Sequence, residues 1–93
     1  MKSEFENIEK EAIANLHFPY AEVLFNSKEI SQRYSELNRA LSLGNLEHAK
    51  IKIYFEDNYS KKVVETTVWG LTENRVILKQ GNVIPINRIF KSA

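Results

Sequence analysis

The chain of 93 residues contains no cysteine, three glycines, two prolines and a single tryptophan. The lack of cysteine excludes disulfides and thiolate metal sites, so no oxidising compartment is needed. Phosphate-cradling glycine loops, a nucleophile elbow and the HExxH arrangement are all missing. No apolar run approaches the ~18 residues of a membrane span. After Met1 and Lys2 come Glu4, Glu6, Glu9 and Glu11, with no apolar core of a secretory signal. The expectation is a cytoplasmic protein with no membrane partner.

What is present suits one folded domain over residues 1–93: 43% of residues are apolar and 27% charged. A net charge of +1 hides an asymmetry. Residues 1–47 carry five Lys/Arg against eight Asp/Glu, a net of −3, and residues 48–93 carry eight against four, a net of +4. A mildly basic second half attracts a polyanion, although an ordinary solvated surface accounts for it equally simply.

Hydrophobic spacing divides the chain near Gly44. Residues 1–26 read as a helical N-terminal extension. Phe5, Ile8, Ala12, Ile13 and Leu16 fall at helical intervals over residues 3–16, with Ser3 as N-cap. Pro19 then opens a short helix over 19–25, in a connector whose Phe18, Tyr20, Val23, Leu24 and Phe25 either cover the core or form a dimer or partner surface. The next signature predicts a helix over residues 27–43. Asn26 caps it with Glu29 in the capping-box position, and Ile30, Tyr34, Leu37 and Leu41 form one face. Glu29 and Arg33 pair at i, i+4, and Gly44 suits the C′ position.

From His48 the period becomes two. Ala49, Ile51, Ile53 and Phe55 alternate with His48, Lys50, Lys52 and Tyr54, as expected for a strand with one buried face. A loop "EDNYSKK" leads into a second long strand, "VVETTVWGL", in which Gly70 marks a bend. "TEN" and "QGN" turn the chain through the short strands "RVILK" and "VIPI", and "RIFK" closes it. Pro85 lacks an N–H and therefore belongs at an edge or strand end. The fold class is α+β: N-terminal helices, then a small, strongly bent five-stranded antiparallel barrel over residues 47–91.

The element order and the phrase "VILKQGNVIPINRI" resemble SH3-like and Sm-like small barrels. In these a helix precedes five bent strands and a short helical turn, here "PIN", precedes the last strand, here "RIFK". The chain is also similar to small bacterial proteins of unknown function ending in a Gly turn, an Ile-Pro pair and an Arg-Ile pair. The resemblance spans residues 26–90. Arg88-Ile89 stands where the Sm signature has Arg-Gly, so no binding residue is carried over from that family.

The residues offer little for catalysis. His17 and His48 are isolated, Glu56-Asp57-Asn58 reads as turn chemistry, and no cofactor, metal or small-molecule site is indicated. Two non-enzymatic functions remain. The first is a protein-interaction or adaptor module, or a homo-oligomer, anchored by Trp69 if that side chain is exposed rather than packed under the helix. The second is single-stranded nucleic-acid binding, with Lys50, Lys52 and Tyr54 on one strand face and Lys61, Lys62, Arg75, Lys79, Arg88 and Lys91 extending the charge. The acidic N-terminal segment is then a candidate electrostatic shield for the basic sheet.

Overall fold

The switch from helical to strand periodicity separates one long helix from two small sheets. The computed structural model describes residues 4–93, so the Ser3 cap lies outside the described residues. In chain order these are β1 (Glu6–Ile8), a 3-10 helix (Lys10–Asn15), α1 (Ser27–Glu47), β2 (Ile51–Glu56), β3 (Lys61–Thr66) and β4 (Val68–Leu71). There follow β5 (Arg75–Leu78), a 3-10 turn (Lys79–Gly81), β6 (Val83–Pro85), a 3-10 turn (Ile86–Arg88) and β7 (Ile89–Ser92). One sheet has the order β1-β3-β2-β7 and the other β4-β5-β6, and neither closes into a barrel.

The N-terminal segment is not the expected pair of helices. Glu6–Ile8 is a strand running parallel to β3, with Asn7 opposite Val63. An isolated helix of this length is marginal, and here the acidic residues meet lysines instead: Glu4 Oε1 lies 3.1 Å from Lys61 Nζ and Glu6 Oε1 lies 3.9 Å from Lys62 Nζ. The 3-10 helix then delivers Ile13 into the core, with Leu16 and Phe18 packed against it. Residues 19–25 form no helix because their polar groups bond across the chain. Val23 N–H donates to Asn87 O, Asn87 Nδ2 to Tyr20 O and Arg88 Nη1 to Ala21 O. Phe18 leans on Phe55, whereas Tyr20 and Phe25 are fully solvent-exposed.

The Asn26 cap is present, its Oδ1 accepting from Lys28 N–H at 2.7 Å. The helix does not stop at Gly44, however, and its buried stripe is Arg33, Leu37, Ala40 and Gly44, while Tyr34 is half-exposed. A Cβ on Gly44 would collide with the Val68 carbonyl oxygen, so this glycine serves close approach to β4 and not a left-handed cap. His48 takes the left-handed conformation instead, with φ 54°, and closes the helix.

The inward row Ile51, Ile53 and Phe55 of β2 is buried as expected. "VVETTVWGL" is divided at Thr67, where the chain passes from one sheet to the other. Thr67 O accepts from Lys79 N–H on the β5 side, and its hydroxyl donates to His48 O. Pro85 ends β6, the outer strand of its sheet. Leu78 N–H donates to Asn82 O and Ile86 N–H to Asn74 O, so by alternation the Pro85 nitrogen faces away from β5. The proline therefore costs the ladder nothing.

These two glycine-related findings give substitutions of opposite sign. Gly44→Ala is expected to lower stability by about 1–3 kcal/mol through overpacking, despite its better helix propensity. His48→Gly is expected to raise stability by about 0.5–1 kcal/mol by relieving the left-handed residue. Urea denaturation of both variants tests the assignment; the same sign for the two would contradict it.

Candidate functional site

The cations singled out in the sequence separate into three environments. Lys62 and Arg88 are buried and spend their donors inside the protein. Arg88 Nε donates to Glu56 O at 3.0 Å and Nη1 to Ala21 O at 2.7 Å, with Nη2 3.5 Å from Glu56 Oε1 and from Asp57 O. Lys62 Nζ donates to Ser60 Oγ at 2.7 Å and Asp57 Oδ1 at 3.1 Å. The same Asp57 oxygen accepts the Tyr59 and Ser60 N–H groups, which shapes the β2–β3 turn. These two cations position a turn and the connector; Arg88 is spent inside the protein, whereas Lys62 also lies 3.9 Å from the Glu6 carboxylate of β1.

Burial alone would raise the Asp57 carboxyl, but the Ser60 and Tyr59 N–H groups and Lys62 outweigh it and hold its pKa below the ordinary value. Glu22 behaves likewise. Burial opposes ionisation, yet the bidentate Arg33 guanidinium, at 2.6 and 2.7 Å, and the Leu24 N–H lower its pKa. Carboxyls lowered on folding stabilise the native state above their unfolded pKa, and that stabilisation is lost as pH falls through the folded value. Stability is therefore expected to decline below about pH 4. Asp57→Asn is expected to be less stable at pH 7 and to show a shallower acid slope. Urea titrations from pH 7 to 3 check both features.

The second environment is the outer face of the four-stranded sheet. Tyr54 stands opposite Val63 and Lys91, and Phe5 meets Tyr54 edge-on at 5.1 Å and Phe90 at 5.7 Å. Lys91 Nζ lies 4.9 Å from the Tyr54 ring centroid, and Lys61 Nζ 5.4 Å from that of Phe90. Lys50 and Lys52 are exposed beside them. Two of these lysines face carboxylates: Glu65 is opposite Lys52, Glu56 opposite Lys61, and Glu4 bonds Lys61. The predicted Lys50–Lys52–Tyr54–Lys61 grouping thus falls on one face, but as an aromatic cluster in which Lys52 and Lys61 already face carboxylates.

The third environment is the outer face of β4-β5-β6. Val68 pairs with Leu78, and both point into the core, so Trp69 points outward. A bulge between Val68 and Gly70 then aligns Gly70 with Ile77, placing two consecutive residues on the outer side. Ile77 is opposite Val83, and Arg75 opposite Pro85. The result is an outward strip of Trp69, Ile77, Val83 and Pro85 with Arg75 at its end, and Lys79 is exposed at the β5 terminus. Trp69 is 52% exposed. Beside β6 an open groove of about 470 Å³ is lined by Ile13, Leu16, Phe18, Arg75, Val83 and Pro85.

No family model, curated protein or solved structure matches this chain. Sequence reasoning missed Phe5 as the ring partner of Tyr54 and Phe90, and Arg33 as a buried anchor. No alternation marks the first, since Phe5-Glu6-Asn7-Ile8 runs apolar, polar, polar, apolar. Nothing local marks Arg33, because its partner Glu22 lies in an irregular segment.

Proposed function

We propose that this chain is a non-enzymatic cytoplasmic protein-interaction module whose contact face is the outer side of β4-β5-β6. The observation that carries this reading is the exposure of Trp69 on a bulge, flanked by Ile77 and Val83 instead of charged residues. A tryptophan with half its surface in water has apolar area to bury on a partner, and such residues dominate binding hot spots. Arg75 and Lys79 at the margin favour a partner that places carboxylates around an apolar centre. We also read the architecture as an opened SH3-like/Sm-like barrel. With β3 and β4 joined at Thr67, five strands run in barrel order, a 3-10 turn precedes the last, and β7 returns to β2.

Single-stranded nucleic-acid binding draws less support. Its face sets Glu65 opposite Lys52 and both Glu56 and Glu4 against Lys61, which weakens the phosphate attraction such binding relies on. The edge-to-face packing of Phe5, Tyr54 and Phe90 also occupies ring surface that bases would stack upon.

Tryptophan emission of the folded protein is expected to be red-shifted and open to acrylamide quenching. A photo-crosslinking residue at position 69 is expected to trap a protein in nuclease-treated native lysate, with no product from the same residue at position 50. Crosslinks of equal yield at both positions, or a product that nuclease removes, would reject the proposed face. Trp69→Ala is expected to keep the native circular dichroism while losing the crosslinked partner in competition.

A further inference from the structure

The strand β1 is an occupant of the sheet as much as a part of it. Only three residues long, it pairs in parallel, the slightly weaker arrangement. Its ion pairs, Glu4 with Lys61 and Glu6 with Lys62, are made by carboxylates that are mostly exposed to water. Beneath it lies a prepared surface. Lys52 exchanges both hydrogen bonds with Ala93 on the β7 side, so it makes none to Glu65 opposite. By alternation Val64 bonds to β2, while the polar groups of Val63 face β1. Tyr54 and Phe90 receive the Phe5 ring, and Ile8 packs against the core.

From this we infer that β1 fills, in cis, a strand-addition site that takes an extended segment of another protein with the same chemistry. That segment carries an aromatic residue between two carboxylates, with an aliphatic residue three positions after the aromatic one. The carboxylates meet Lys61 and Lys62, the ring meets Tyr54 and Phe90, and backbone bonds form along Val63. The occupant's chemistry is read directly from Glu4-Phe5-Glu6-Asn7-Ile8, which is seated there. Because the cis segment competes at the high effective concentration of a tethered ligand, displacement sets the apparent affinity. The site is separate from the Trp69 face and is independent of its role.

The test uses the full chain and a labelled synthetic peptide copying residues 4–9, followed by fluorescence anisotropy. Glu4→Lys with Phe5→Ala weakens the cis strand and leaves the receiving surface intact. This variant is expected to bind the peptide at least tenfold more tightly than the unaltered chain, and adding Lys61→Glu is expected to abolish the gain. Equal affinity for all three chains would overturn the inference. So would a concentration-dependent dimer of the unaltered chain that vanishes in the double variant, since that assigns the site to strand exchange between copies. Hydrogen exchange of the unaltered chain provides a reading that needs no variant. The Val63 amide is expected to exchange at least tenfold faster than the Val64 amide through local opening of β1, and equal protection of the two would show that the strand does not leave.

Discussion

The helix α1 lies where two strand edges would otherwise be open, and the arrangement depends on how closely it approaches them. At one end Gly44 rests on the Val68 carbonyl of β4, on the side turned away from β5. At the other end Arg33 Nη1 donates to Ile89 O at 3.0 Å and Glu36 Oε1 accepts the Ser92 N–H at 3.1 Å. These are the outward-facing polar groups of β7. A helix thus supplies through two side chains and one missing Cβ what a further strand would supply through its backbone. That substitution explains why the two sheets are held together without closing into a hydrogen-bonded barrel.

Burying a guanidinium to do this is costly unless every charge is met. Glu22 meets it with two short bonds, and this draws the irregular connector against the helix and the 3-10 turn before β7. Arg88 completes the same arrangement from the other side, tying Ala21 to the end of β2. Residues 19–25 are ordered by these bonds and not by their own apolar side chains. This is why Tyr20 and Phe25 remain in water despite lying among hydrophobic neighbours in sequence.

Much of this was legible from residue order, and the failures share a cause. The α1 start, the alternation of β2, the Lys79–Gly81 turn, the Ile86–Arg88 turn and the final strand each rest on local signals. Alternation, a cap or a proline declares itself within a few residues. The N-terminal strand was hidden because Phe5, Ile8, Ala12 and Ile13 satisfy a helical period, while its partner β3 lies more than 50 positions away. Gly44 misled because the same residue serves a C′ cap and a close helix–sheet contact, and only the position of Val68 separates the two. In the site, the basic residues were correctly located on the second half of the chain, but their partners were not. Lys62 and Arg88 look like their exposed counterparts in sequence and differ in being buried against their carboxylate and carbonyl partners.

The disposition of strand edges also limits how this molecule meets another. α1 covers the outer sides of β4 and β7. Pro85 removes a donor from the outward side of β6, and Asn82 Nδ2 bonds Lys10 O to keep the N-terminal segment beside it. The remaining edge of β3 carries β1, the shortest and most charged cover of the set. Three edges are therefore protected by features fixed in the core or in covalent chemistry, and the fourth by a segment that rests on the surface. Pairing with a foreign strand requires an edge whose cover leaves without unpacking Leu37, Ile53 or Ile89, and only β3 meets that condition among the described residues. Broad contact, by contrast, requires no edge at all, and the outward strip around Trp69 supplies a face for it.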